Sequence, residues 1–159
     1  MTKGSTSTEL STLILDHAGM IHKLSYLYSN SREEYEDLQQ EISYQILKSY
    51  PKFNNKSKLS TWVYKVALFT ALAFLRKRKK QLVYTTNIPE WIAEEEDDNW
   101  PEVLSAIKAL PDVEKSLIFL YLEDHSYKEM ANITGLTESN IGVRLNRIKN
   151  KLKSKLNQA

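Results

Sequence analysis

Apolar residues recur along this chain at steps of three and four almost from end to end, and that is the period of an α-helix. Leu10, Leu13, Ile14, His17, Ile21 and Leu24 share one side of a helix predicted from Thr8 to Tyr28. Ser31-Arg32-Glu33-Glu34 has the Ser-x-x-Glu form of a capping box, in which each side chain satisfies a backbone N–H at a helix start. The helix it opens carries Tyr35, Leu38, Ile42 and Ile46. It stops near Tyr50-Pro51, because the residue before proline disfavours helical geometry. Phe53 to Leu59 is a polar loop. Ser60 is the expected cap of a long third helix with Trp62, Val63, Val66, Phe69 and Ala73, which runs into the basic cluster Arg76–Lys80.

From Gln81 to Trp100 the period is lost, and Glu94-Glu95-Glu96-Asp97-Asp98 should repel itself and stay extended. Beyond it the period returns, predicting helices at about 102–109, 112–123, 127–133 and 138–156. The last two read as a helix-turn-helix. Ser126-Tyr127-Lys128-Glu129 is a second capping box, and Gly135 can take the left-handed geometry of a helix end. Thr137 is placed to cap the final helix, where Ile141, Leu145, Ile148, Leu152 and Leu156 form one apolar stripe. Its other face carries Arg144, Arg147, Lys149, Lys151, Lys153 and Lys155. A short helix, a tight turn and a basic second helix suit insertion into a DNA major groove. The chain is therefore expected to be all-α, with two small helical domains joined by a flexible acidic linker. The expected bounds are a disordered terminus at 1–7, a domain at 8–80, the linker at 81–100 and a helix-turn-helix domain at 101–159.

Charge sharpens this division. Residues 1–80 hold thirteen bases and seven acids, for +6; residues 81–101 hold six acids and no base, for −6. Residues 102–124 come to −3 and residues 125–159 to +5, within a total of +2. Two basic blocks separated by an acidic one fit two separate contacts with a polyanion. There is no cysteine, which excludes disulfides and thiolate chemistry. The first residues lack the apolar core of a signal peptide, and the longest apolar run, Val66 to Leu75, falls short of a membrane span. A soluble cytoplasmic protein without membrane insertion is expected.

Catalytic parts are missing. His17 and His22 are five apart and His125 lies in a loop, so no metal site is expected. The four glycines are isolated, so no phosphate-binding loop forms. Paired acids such as Glu33/Glu34 and Glu36/Asp37 read as a charged helix surface. Neither enzyme activity, a cofactor nor a small-molecule substrate is expected.

What remains is nucleic-acid chemistry. Six bases on one helix describe a solvated face as readily as a DNA contact; the caps and the glycine turn tip the balance toward DNA. Ile141 and Leu145 belong to the core, while Glu138, Ser139, Asn140, Gly142 and Val143 would face base edges. Arg144 and Arg147 would reach guanine or phosphate. In the first block, Trp62, Tyr64 and Phe69 lie between a lysine-containing loop and five consecutive bases. Aromatic rings beside positive charge hold unstacked bases. A Trp near the start of an amphipathic helix ordinarily packs in the core, so Asn54, Asn55, Lys56, Ser57 and Lys58 are better candidates for base contact. Arg76, Lys77, Arg78, Lys79 and Lys80 are simplest as a phosphate anchor.

Both blocks, in this order, resemble the extracytoplasmic-function subgroup of the sigma-70 family of bacterial RNA polymerase sigma factors. Tyr35-Glu36-Asp37-Leu38-Gln39-Gln40-Glu41 resembles the family's Glu-Asp-Leu-x-Gln-Glu segment, and Leu59-Ser60-Thr61-Trp62-Val63-Tyr64-Lys65-Val66-Ala67 its Thr-Trp-Leu-Tyr-x-Ile-Ala signature. Leu72-Ala73-Phe74-Leu75-Arg76-Lys77-Arg78-Lys79 is similar to the basic helix that follows, Leu110-Pro111 to the Leu-Pro opening the fourth region, and Ser126 to Leu152 to its helix-turn-helix. The resemblance covers nearly the whole chain. It implies docking on the β′ clamp helices of core polymerase through Asp37, Leu38, Gln40 and Glu41. It implies minus-ten recognition and melting through Asn54, Asn55, Lys56, Ser57, Lys58, Trp62, Tyr64, Arg76, Lys77, Arg78 and Lys79, with the loop at 54–58 taking up an extruded base. It implies binding to the β flap, and minus-thirty-five recognition through Lys128, Thr137, Glu138, Ser139, Asn140, Gly142, Val143, Arg144 and Arg147. It also implies an anti-sigma factor as partner and an acidic linker lying where nascent RNA later runs. Two positions depart from the pattern. Leu68-Phe69 stands where the family often has Arg-Asn or Asn, and Phe69 cannot make an asparagine's hydrogen bonds. Gly142 stands where a lysine is common, and would let the backbone approach DNA closely.

The expected function is thus a sigma factor that binds core polymerase and directs promoter-specific initiation. The rival is a stand-alone helix-turn-helix regulator using residues 1–80 for dimerisation or sensing. A second nucleic-acid signature in those residues argues against it.

Overall fold

The structure, a computed structural model, describes residues 3–79 and 100–157. Among them every regular element is helical. In chain order these are α1 (Lys3–Asp16), α2 (Ala18–Leu27), α3 (Arg32–Ser49), a 3₁₀ turn (Tyr50–Lys52), α4 (Leu59–Lys79), α5 (Trp100–Lys108), α6 (Asp112–Leu122), α7 (Tyr127–Thr134) and α8 (Glu138–Asn157). They fall into two compact units, α1–α4 and α5–α8. The acidic run 94–98, and the rest of the expected linker up to residue 99, lie outside the described residues.

In the first unit, the single helix expected from Thr8 to Tyr28 is two, and the first begins at Lys3 within the terminus expected to be disordered. The break lies at His17, whose backbone (φ −112, ψ 12) leaves the helical region. Its N–H donates to the Ile14 carbonyl at 3.2 Å, and its imidazole Nδ1 donates to the Leu13 carbonyl at 2.8 Å. The ring thereby satisfies a carbonyl at the end of α1, one of the groups any helix end leaves without a partner. The His17 carbonyl then accepts the Ile21 N–H and α2 begins. Leu13, Met20, Ile21, Leu24 and Tyr28 pack with Leu38, Ile42 and Ile46 of α3 and Val63, Ala67, Leu68, Ala71 and Leu75 of α4 in a buried core. Each valine, leucine, isoleucine or methionine among them contributes roughly 1.5–3 kcal/mol on leaving water.

α4 starts one residue ahead of its expected cap. The Lys58 carbonyl accepts the Trp62 N–H at 3.0 Å, so Leu59 is already helical and Ser60 sits in the first turn. Over Leu59–Arg78 the helix is long and apolar enough to cross a membrane by length and composition, beyond the short run seen in the sequence. Its Val63, Ala67, Leu68, Ala71 and Leu75 are instead core residues, and it packs on α2. At its end the Arg78 guanidinium donates to the Tyr28 carbonyl (3.0 Å) and to Glu34 (3.2 Å).

In the second unit α8 is the central helix, packed on α5, α6 and α7. Ile141, Leu145 and Ile148 meet Leu104, Ile107, Leu117, Leu120, Met130 and Ile133, all buried. Leu152 and Leu156 continue the stripe but are only half-buried. The four helices match their expected bounds to within two residues. α6 ends in a Schellman arrangement: His125 N–H donates to the Leu120 carbonyl and Asp124 N–H to that of Tyr121. Asp124 takes the left-handed position (φ 64) that glycine usually fills.

Candidate nucleic-acid interface

The helix-turn-helix is built from local bonds that its sequence specifies. Ser126 Oγ accepts the Glu129 N–H at 3.1 Å, and the Glu129 carboxylate reaches back to the Ser126 N–H, completing the capping box. His125 Nδ1 donates to the same carboxylate at 3.3 Å. Partial burial pushes Glu129 upward, but the bonds from Ser126 and His125 prevail and hold it below the ordinary carboxylate range. Gly135 closes α7 in the left-handed conformation (φ 81). Thr134 Oγ1 accepts the Leu136 N–H, and Thr137 Oγ1 accepts that of Asn140 at 3.1 Å. The turn is therefore pinned at both sides, and the first turns of α8 have a fixed direction.

Lys128, Thr137, Glu138, Ser139, Asn140, Val143 and Arg147 are exposed on this unit, as a DNA-facing surface requires. Arg144 Nε donates to Asn140 Oδ1 at 2.8 Å, so one turn of helix orients its guanidinium. Gly142 departs from expectation. A Cβ there would stand 3.5 Å from Tyr127 Cε2, so the position faces the start of α7 rather than the outer surface. The basic face of α8 also divides. Lys149 lies 4.1 Å from the centre of the Tyr121 ring, and its pKa is raised chiefly by a hydrogen bond with that residue. Lys151 binds both oxygens of Glu114 at 2.9 Å. These two lysines fasten α8 to α6; Arg147, Lys153 and Lys155 are exposed.

In the first unit the loop before α4 shapes itself. Asn54 Oδ1 accepts the Lys56 N–H at 3.2 Å, and Asn55 takes a left-handed backbone (φ 62), which asparagine tolerates. Asn54, Asn55, Lys56 and Lys58 are exposed and Ser57 is half-buried. Trp62 is half-buried, its ring centre 5.3 Å from Phe53 and 6.3 Å from Tyr50, so it props the loop. Tyr64 turns onto His17 at 6.2 Å. Arg76 and Lys77 are exposed. Arg78 departs from the expected phosphate anchor: its side chain is only 10% exposed, and its Nη1 donates to Tyr28 and Glu34. The Lys79 side chain and Lys80 lie outside the described residues.

On α3, Asp37, Gln40 and Glu41 are exposed as a docking face requires. Leu38 is 0% exposed and belongs to the core, so it supports that face from beneath instead of touching a partner. Two residues missed in the sequence extend the face: Tyr44, 55% exposed, and Leu47. Both are apolar residues off the buried stripe of Tyr35, Leu38, Ile42 and Ile46, and that mismatch was the available signal. Between α3 and α4 runs a groove of about 680 Å³ bordered by Asp37, Glu41, Phe69, Ala73, Phe74 and Lys77.

Comparison with known proteins follows the same two-part division. Residues 13–81 match the sigma-70 region 2 family and residues 101–152 match sigma-70 region 4. The chain is similar to the RNA polymerase sigma factor SigV of Bacillus subtilis (strain 168), 30% identical over 148 residues that cover 91% of this chain and 89% of that protein. Among solved structures it is similar to the sigma factor RpoE of Bartonella quintana, solved in complex with the anti-sigma factor NepR. That likeness has a TM-score of 0.80 at 19% identity, over 94% of this chain and 97% of the other. It is also similar to CnrH, solved in complex with the cytosolic domain of CnrY, with a TM-score of 0.73 at 15% identity over 96% and 90%. At those identities the structural likenesses speak for the fold.

Proposed function

The chain belongs to the sigma-70 family of RNA polymerase sigma factors, in the extracytoplasmic-function subgroup, and from that premise we propose how its two units divide promoter recognition. It is a sigma factor, binding core RNA polymerase and directing initiation at promoters. Sigma factors are non-enzymatic initiation subunits, and this one works in the cytoplasm beside its polymerase.

The first unit docks on the β′ clamp helices through Asp37, Gln40 and Glu41, with Tyr44 and Leu47 as apolar anchors beside them. Aromatic and aliphatic side chains ringed by charge are the usual composition of such a contact. Its loop Asn54–Lys58 receives an extruded base of the minus-ten element, and Arg76 and Lys77 hold nearby phosphates. The second unit contacts the β flap and lays the start of α8 in the major groove of the minus-thirty-five element. There Asn140, Val143, Arg144 and Arg147 meet bases and backbone. The observation that carries this reading is the exposed start of α8, aimed by the Ser126 and Thr137 caps, in a chain whose other unit matches region 2. That match also disfavours the stand-alone regulator. An anti-sigma partner is supported by RpoE having been solved bound to one.

Addition of the protein to core polymerase, with a duplex library randomised over both elements, tests this directly: specific transcripts are expected. Arg144→Ala should relax selectivity at the minus-thirty-five element by roughly 1–3 kcal/mol while leaving core binding intact. Unchanged selectivity would remove Arg144 from the reading surface.

A further inference from the structure

Arg144 and Arg147 stand one turn apart on α8 but are not held alike. Arg147 is exposed, with no side-chain partner among the described residues. Arg144 is half-buried, and its Nε donates to Asn140 Oδ1 at 2.8 Å. Asn140 is itself fixed at the helix start, where Thr137 Oγ1 accepts its N–H at 3.1 Å. Steps of three and four place Thr137, Asn140 and Arg144 on one line of the helix, beside the buried stripe of Ile141, Leu145 and Ile148. A guanidinium carries donors only, so the Asn140 amide turns its oxygen to Nε and its NH2 group away. The bond engages the Nε side of the guanidinium. Its Nη1 and Nη2 groups have no partner among the described residues.

We propose that Asn140 is a positioning residue for sequence readout: it holds Arg144 by Nε so that both terminal nitrogens meet one guanine end-on, at O6 and N7 in the major groove. The inference rests on the minus-thirty-five reading above. It deepens that reading by assigning the base and the residue that sets its reader. An arginine free to swing reaches phosphate from many rotamers and gives grip without sequence. A guanidinium already fixed in direction loses less freedom on binding and presents a planar pair of donors. In the major groove guanine offers two acceptors side by side, whereas adenine sets a donor beside its acceptor. The held pair therefore requires guanine at one position, and Arg147 is the sequence-tolerant phosphate contact.

The test starts by selecting active promoters from the randomised library with wild-type protein and core polymerase. Selecting none would overturn the sigma-factor reading and this inference with it. Duplex fragments of a selected promoter, with each minus-thirty-five G·C pair changed in turn to A·T, are then titrated onto the holoenzyme. One change should weaken wild-type binding about tenfold. Arg144→Ala should lose that discrimination, and Asn140→Ala should lose most of it at the same pair while discriminating normally at the others. Asn140→Asp keeps an acceptor for Nε and should retain the discrimination, although its charge weakens binding to every fragment. The double alanine variant should discriminate no less than Arg144→Ala alone. Full discrimination in Asn140→Ala, or its loss in Asn140→Asp, would overturn the positioning role. Relaxation at a different pair from Arg144→Ala would overturn it too, by making Asn140 a reader in its own right. So would an equal loss at every pair, which would make Asn140 merely structural.

Discussion

Arg78 at the end of α4 is bonded to Glu34 in the first turns of α3, 3.2 Å apart, with the arginine side chain only 10% exposed. The same guanidinium caps the end of α2 through the Tyr28 carbonyl. One side chain therefore ties three helices of the first unit, and a residue read from sequence as a DNA anchor is a structural clamp. Arg78→Ala should lower the unfolding free energy by roughly 1–3 kcal/mol, the usual cost of losing a hydrogen bond to a charged group. Lys77→Ala should leave stability unchanged and reduce the salt dependence of promoter binding. Thermal melts and salt titrations of the two variants separate the roles.

Leu38 and Tyr44 lie on one helix but should fail differently. Leu38→Ala opens a cavity in a filled core and should cost about 2–5 kcal/mol in denaturant unfolding. Tyr44→Ala removes an exposed ring and should shift stability by no more than about 0.5 kcal/mol. It should nonetheless weaken binding to core polymerase, measured by competition against wild type. Normal core affinity in Tyr44→Ala would take the ring out of the docking face.

The capping box makes the second unit pH-sensitive in a defined direction. Glu129 is lowered in the folded protein, so its ionised form stabilises the fold, and that stability is present throughout neutral pH. It is lost as pH falls through the folded-state value, when the carboxyl takes up a proton. Glu129→Gln should therefore melt below wild type at neutral pH, with the gap closing in acid. A gap that stays constant down to acid pH would separate the carboxylate from the cap's stability.

Asp124 should be improvable. A non-glycine residue in left-handed geometry costs roughly 1–2 kcal/mol, less for aspartate, whose side chain bonds locally. Asp124→Gly should raise stability by about 0.5–1 kcal/mol, the backbone gain less the added freedom of the unfolded chain. A fall in melting temperature would show that the carboxylate does more than tolerate the turn.

These pairs also mark what the sequence could tell. The Ser126 box, the Gly135 stop and the Thr137 cap were legible because each is completed within four residues by groups whose chemistry admits few alternatives. The break at His17 was not, because an imidazole on an apolar stripe looks like a packed residue until its ring bonds a carbonyl one turn back. Arg78, Lys149 and Lys151 read as free positive charge because their partners lie 28 to 50 residues away in the chain. Gly142 read as a DNA approach because nothing local says that Tyr127 stands opposite. On the candidate surfaces, the expected exposures held wherever polarity and helical phase agreed. They failed where an apolar residue pointed outward, as at Tyr44 and Phe69, or a docking residue pointed inward, as at Leu38.

On the proposed division, two separate units of one chain read one promoter only as part of the polymerase. Hydroxyl-radical footprinting on a promoter selected from the randomised library, with and without core polymerase, tests it most directly. Two protected blocks, at the minus-ten and minus-thirty-five elements, should appear together when core is present and be absent for the free protein at the same concentration. Equal protection by the free protein, confined to a single palindromic site, would contradict it.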